Sequence, residues 1–270
     1  MEVRNKVNRI KDIYEYREMI FSLVRKELRG RYKGSALGFL WTFINPLLQL
    51  LVYTLVFSVI MRAGYDHYYI FLFVALVPWM FFSSALTGGS TAVLASQDMV
   101  KKIYFPREVL PISYITCGFV NMLLTFLVVF AVLVITGFGV NGQALLFMPI
   151  VMIVEYFLAM GIAFLSSALT VYFRDLQYVL SIIAMAWQFL TPVMYGQEMV
   201  EEQLSKYPML MKVWNLNPTT PMINAYRDIL YYKQVPELGT LLSAVVLGVV
   251  VMVVGWISFG KLQKGFAEQF

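Results

Sequence analysis

The feature that most constrains this chain is its uncharged runs. Gly34 to Met61, His67 to Gln97, Val109 to Val154, Gln177 to Gln197 and Leu238 to Gly260 contain no Asp, Glu, Lys or Arg. About 20 apolar residues at 1.5 Å per residue cross a bilayer as a helix, so each run is long enough to span. The third run has twice the needed length and is interrupted by Gly137-Phe-Gly-Val-Asn-Gly142. That turn-rich segment divides it into one span ending near Thr136 and another from about Leu145 to Tyr172. The expected fold is therefore an all-α integral membrane protein with six transmembrane helices.

Composition agrees, with 60% apolar and 14% charged residues against roughly 45–50% and 25% in soluble domains. The 21 Lys and Arg divide sixteen to five between the two sides when the N-terminus is placed inside, which is the positive-inside bias. Both termini are thus expected in the cytoplasm, at a cytoplasmic (inner) membrane. The net charge of +5 follows the membrane sides, so it gives no reason to expect a nucleic-acid partner. The first 33 residues are charged throughout, and no removable signal peptide is expected.

Two regions outside the spans are long enough to have structure. In the N-terminal segment Ile10, Ile13, Tyr14, Ile20, Val24 and Leu28 recur at helical spacing, which predicts an amphipathic helix along the membrane surface. A plain topology signal is the other reading. Between the fifth and sixth spans, Thr220-Pro221 reads as an N-cap followed by proline at the first helical position. Met222, Ala225, Tyr226, Ile229 and Leu230 then share one face, with Arg227 and Asp228 elsewhere. Short outer helices that rest on or re-enter the membrane are expected here. The organisation that follows is an interface segment 1–36, a transmembrane domain 37–260 with an outer segment 197–239, and a tail 261–270.

The sequence offers little catalytic machinery. Cys117 and His67 are each the only residue of their kind, so neither an internal disulfide nor a Cys/His metal cluster is expected. Gly255-Trp-Ile-Ser-Phe-Gly-Lys261 has the spacing of a phosphate-binding loop, but Leu262 stands where Ser or Thr is needed, and the motif closes a membrane helix. No cofactor is expected in this chain. Glu155 is the carboxylate placed well inside a span, at a cost of about 2.5–3.5 kcal/mol unless paired, neutral or wet; it serves either transport or a helix–helix hydrogen bond. Trp41, Trp79, Trp187, Tyr195 and Trp214 lie in or near the membrane zone, as interfacial anchors or as stacking platforms for sugar rings. Arg29, Arg31 and Lys33 precede the first span, where they either hold a lipid diphosphate head group or set topology.

Four blocks carry a resemblance. Leu28-Arg-Gly-Arg-Tyr-Lys-Gly-Ser-Ala-Leu-Gly-Phe-Leu-Trp41 continuing to Asn45-Pro46, Lys101-Lys-Ile-Tyr-Phe-Pro-Arg-Glu-Val-Leu-Pro111, Tyr172-Phe-Arg-Asp-Leu176, and Asn217-Pro218 with Ala225-Tyr-Arg227 resemble permeases of type-2 ABC exporters of polysaccharides and polyol phosphates. The resemblance implies export of a lipid-linked glycan such as O-antigen, capsule, rhamnan or teichoic acid. It also implies ATP and Mg bound by a partner ATPase, and two copies of each subunit in contact with membrane lipid. Lys101, Lys102, Tyr104, Phe105, Pro106, Arg107, Arg174 and Asp175 are then expected to meet the ATPase. Trp41, Asn45, Trp79, Phe82, Glu155, Trp187 and Tyr195 are expected to border the translocation path, and Asn217, Pro218, Tyr226 and Arg227 to form an outer gate. A smaller-substrate ABC exporter and a membrane transferase acting on a lipid-linked substrate are the rival readings.

Overall fold

The computed structural model describes residues 6–30, 34–60 and 64–269. Within these the chain is helical, in the order α1 (Lys6–Glu15), α2 (Arg17–Gly30), α3 (Trp41–Thr54), α4 (Tyr68–Thr91), α5 (Gln97–Lys102), α6 (Val109–Ile135), α7 (Gly142–Leu145), α8 (Met148–Tyr172), α9 (Leu176–Leu190), α10 (Gln197–Leu204), α11 (Pro208–Asn215), α12 (Thr219–Leu230), α13 (Leu238–Leu262) and α14 (Phe266–Gln269). Among the described residues no strand occurs, as the bilayer demands of backbone that must satisfy itself locally.

Five helical stretches are long and apolar enough to cross a membrane: Gly38–Ser58, Tyr68–Thr91, Val109–Ile135, Gly142–Tyr172 and Leu238–Gly265. The sixth apolar helix, α9, has 15 residues, about 22 Å at 1.5 Å per residue. The sequence predicts this element to run on to Gln197, and proline shortens it. Pro192 disfavours helical conformation at the residue before it, and Thr191 takes the extended φ −112° and ψ 137°.

The helices are sorted by burial. α4 is the centre of the bundle, with 17 of its 24 residues buried, whereas α13 buries four of 25. α8 and α13 meet backbone to backbone at glycine. A Cβ on Gly161 would lie 2.6 Å from the Met252 backbone, and one on Gly255 would lie 2.1 Å from the Gly161 carbonyl oxygen. Lipid gives helices no hydrophobic reason to associate, so close approach through small residues, which maximises van der Waals contact, holds such pairs.

The N-terminal segment is two helices rather than one. Ile20 and Leu23 of α2 pack against the core and Val24 is buried, while Ile10 and Tyr14 of α1 stay about two-thirds exposed. The predicted apolar stripe is therefore divided, its second half turned onto the protein. Arg31 and Lys33 lie outside the described residues; Arg29 is exposed in the last turn of α2.

Candidate functional site

Polar side chains gather at two faces of the bundle. At the face that holds the described ends of the chain, Glu108 caps the approach to α6 and is 3% exposed. Its Oε1 accepts from Arg9 Nε (3.0 Å), Arg9 Nη2 (2.5 Å) and Gln263 Nε2 (2.8 Å). The Arg9 guanidinium also lies 4.6 Å from the Trp256 ring centroid, in a space left by Gly260, where a Cβ would collide with it. Arg107 donates to the Gln263 carbonyl and covers the Phe266 ring. Burial pushes the Arg107 guanidinium below its ordinary value, with Glu108 opposing. Tyr172 Oη donates to the Leu262 carbonyl at 2.7 Å, and Tyr16 Oη to the Tyr104 carbonyl at 3.4 Å. Three distant parts of the chain, α1, the loop before α6 and the C-terminal tail, are thus tied at one buried carboxylate.

The residues expected to face an ATPase divide here. Lys101, Lys102 and Tyr104 are exposed, Tyr104 at 79%, as are Arg174 and Asp175. Phe105 is instead 5% exposed, covered by its own chain. Pro106 is half-buried. Pro111 lies in the first turn of α6, where its missing N–H costs nothing. Asp175 stands at the N-terminus of α9, where a carboxylate complements the helix dipole.

At the opposite face the chain solves a harder problem. After α9 the backbone from Thr191 to Met194 is buried without being helical, so its carbonyls must find donors elsewhere. Each does. The Phe189 carbonyl accepts from Tyr195 Oη (2.5 Å), Leu190 from Asn217 Nδ2 (2.9 Å), Thr191 from the Val193 N–H (2.7 Å), and Met194 from Tyr68 Oη (2.7 Å). Arg227 supplies the rest, donating to the carbonyls of Pro192, of Val193 (2.6 Å) and of Tyr195 (2.9 Å), with a long contact to Phe71 (3.5 Å). Its guanidinium lies 3.7 Å from the Phe71 ring centroid and is 2% exposed. The planar fork of Arg, with five donors, suits this work as Lys would not.

Of the two placements expected for α12, the burial favours re-entry: Arg227 points inward, and ten of the helix's twelve residues are buried, so α12 packs into the protein. Its start is displaced by two residues: α12 begins at Thr219 with Pro218 as its cap. Asn217 Oδ1 performs the capping, accepting from Thr219 N (3.1 Å) and Thr219 Oγ1 (2.6 Å), and it accepts from Trp187 Nε1 (2.9 Å) as well. Tyr226 Oη donates to Glu155 Oε2 at 2.6 Å, both groups being buried.

The residues expected along a translocation path fall into separate groups. Trp79, Phe82 and Glu155, each 3% exposed or less, close with α12 around a gap of about 10 Å³, and Trp187 packs on Phe82 at 5.3 Å between ring centroids. Trp41 and Asn45 lie elsewhere, beside a cavity between α3, α4 and α6. Sequence reasoning missed Arg9, Glu108, Gln263 and Phe266, whose charges or rings look ordinary in a basic, aromatic chain. It also missed Tyr68.

Long apolar helices, with polar groups gathered at the two ends of the bundle, mark a multi-pass membrane protein. The family model for the ABC-2 type transporter matches residues 18–231, and the chain belongs to that family. It is 33% identical over 259 residues to the O-antigen export system permease protein RfbA of Myxococcus xanthus, covering 96% of this chain and 98% of that protein. It is 31% identical over 251 residues to the protein of the same name from Klebsiella pneumoniae, covering 93% and 94%. The matched region runs from α2 through α12 and includes Glu108, Asn217 and Arg227, while Arg9 and the C-terminal tail lie outside it.

Proposed function

We propose that this chain is the membrane permease subunit of an ATP-driven exporter that moves a lipid-linked cell-surface polysaccharide of the O-antigen kind across the cytoplasmic membrane. The observation that carries the reading is the likeness to O-antigen export permeases over nearly the whole of both chains. A polyol-phosphate polymer such as teichoic acid is the alternative cargo, and the relatives favour polysaccharide.

In this reading α9, extended by the buried segment after Leu190, makes the sixth crossing. Both described ends then lie on one side, which the positive-inside bias makes cytoplasmic. Residues 1–36, 37–260 and 261–270 serve as interface segment, transmembrane domain and tail. ATP and Mg belong to a separate ATPase, two copies of which meet two copies of this chain. The polymer passes between the two permease copies, since the cavity within one bundle, about 220 Å³, is too small for a polymer segment. The Lys101–Tyr104 and Arg174–Asp175 surfaces receive the stroke of the ATPase, and the tie at Glu108 passes it to α1, α6 and the tail. Arg29, with Arg31 and Lys33, holds the lipid diphosphate at the cytoplasmic leaflet. Asn217, Pro218, Tyr226 and Arg227 belong to the outer gate.

The test is to tag the chain, extract it gently and identify what copurifies at equal stoichiometry. An ATPase is expected, and with it ATP-dependent movement of lipid-linked polysaccharide in vesicles. A chain that runs alone, or with a glycosyltransferase, overturns the proposal. The variant Arg107→Glu, which breaks the bond to Gln263, is expected to retain ATP hydrolysis and lose transport; full transport would remove this loop from the coupling route.

A further inference from the structure

The cavity between α3, α4 and α6 is built for a ligand. Its volume is about 220 Å³, below the roughly 300–1,000 Å³ of drug-sized sites, which leaves room for a single ring and not for a polymer segment. It lies at Asn121 and Thr125 of α6, about 18 Å along that 40 Å helix at 1.5 Å per residue, hence far from either end. Polar groups there have no bulk water to fall back on.

Two of them have no partner. Thr42 Oγ1 and Asn121 Oδ1 are buried and unbonded, in side chains 5% and 9% exposed that both line the cavity. The Asn121 amide nitrogen reaches Cys117 Sγ at 3.9 Å, so the oxygen is the end of this amide left without a partner. A buried polar atom without a partner is costly, and two on side chains that line one cavity point to an occupant.

The walls specify its chemistry. Every polar side chain around the cavity is uncharged, so a phosphate or an ammonium finds no counter-charge. Trp41 and Phe81 contribute aromatic surface, whose negative ring faces attract C–H groups of slight positive charge. Gly118 makes room for that surface, since a Cβ there would meet the Phe81 ring at 3.2 Å. Asn45, exposed on α3 and lining the cavity, leaves a polar rim on an otherwise apolar helix. Water would satisfy the acceptors, about seven molecules at roughly 30 Å³ each, but would leave the aromatic walls without a partner.

We propose that this cavity is a binding site for a single uncharged, hydroxyl-bearing ring of the hexopyranose kind. Its hydroxyls donate to Thr42 and Asn121, and its C–H face lies against the aromatic wall. The site stands on the cavity and its unpartnered acceptors, not on the export reading. The ring comes either from the glycan cargo or from a glycolipid of the bilayer, and the two sources share this chemistry.

The test uses the full chain with its copurified partners in nanodiscs and an octyl β-glucoside carrying a diazirine in its alkyl chain. An alkyl phosphocholine with the same diazirine is the control. Peptides bearing Phe81 or Met122 are expected to be labelled at least tenfold more by the glucoside than by the phosphocholine. The pair Thr42→Val and Asn121→Leu is expected to lower that labelling tenfold with an unchanged gel-filtration profile. Should the pair disturb folding, Asn45→Leu at the open rim is expected to lower labelling alone. Displacement of the label by lipid-linked oligosaccharide assigns the ring to the cargo, and displacement by diglucosyl diacylglycerol assigns it to the bilayer. Equal labelling by both probes, indifference to the variants, or displacement by neither overturns the proposal and leaves ordered water as the occupant.

Discussion

Arg227→Met tests the account of the far face most directly. Methionine keeps much of the length and apolar volume of arginine but removes every donor, and three buried carbonyls, those of Pro192, Val193 and Tyr195, lose their partner at once. Each stranded acceptor costs about 1–3 kcal/mol. Part of that returns, because the variant no longer buries a cation, so a net loss of about 3–5 kcal/mol is expected. For a chain of this size that is a melting-temperature drop on the order of 10 °C. Cys117 is the only cysteine and is fully buried, so a maleimide dye that fluoresces on reaction reports unfolding without any engineering. Arg227→Lys should fall between, since an ammonium reaches fewer of the fork's acceptors. Trypsin adds a local readout at Lys206, which follows α10 and is exposed, and cleavage there should accelerate in both variants. A melting temperature for Arg227→Met within about 1 °C of the parent would refute the claim that Arg227 holds the segment after α9.

Two further expectations concern the membrane interior. Gly161→Val places a side chain where even a Cβ would lie 2.6 Å from the Met252 backbone, so α8 and α13 must separate; loss of more than about 3 kcal/mol is expected, read by the same dye, whereas Gly239→Val, with nothing near it, should stay within about 0.5 kcal/mol of the parent. Glu155→Gln keeps an acceptor for Tyr226 and should melt within about 1 kcal/mol of the parent, while Glu155→Leu strands the Tyr226 hydroxyl and should lose about 1–3 kcal/mol; full transport by Glu155→Gln in the vesicle assay would exclude a role for carboxylate ionisation.

The long helices were legible because their signal is local. A charge-free run of twenty residues declares itself, and the predicted starts at Val109 and Leu238 match α6 and α13. What the sequence hid depends on partners distant in the chain. Arg227 reads as the polar side of an amphipathic helix until the carbonyls of Pro192, Val193 and Tyr195 are seen to need it. Pro192 was the available signal: a proline near the end of an apolar run announces freed backbone, and freed backbone in a membrane needs a donor. Glu108 was equally opaque, since its partners Arg9 and Gln263 lie 99 and 155 residues away. Phe105 is the opposite case, its apolar ring being covered by the chain itself.

The carbonyl ledger also decides what can move at the far face. Arg227 makes three bonds to the segment after α9, and Thr191 Oγ1 shares a 2.7 Å bond with Thr219 Oγ1. The end of α9 and the start of α12 are therefore one body, and α12 cannot swing out alone without stranding several carbonyls in the membrane. α10 and α11 are different, because Val200 is the only buried side chain in either. If the outer segment gates, the mobile part is α10 and α11, moving over a fixed floor of α9 and α12. A disulfide separates this from a swinging α12. Two hydroxyls at 2.7 Å place their Cβ atoms within reach of the roughly 3.5–4.5 Å that a disulfide requires, so Thr191→Cys with Thr219→Cys, in a chain carrying Cys117→Ala, should oxidise readily. Transport in vesicles is expected to be the same with the bridge closed and after reduction. Arrest on oxidation, relieved by reductant, would show that α12 parts from α9 in every cycle.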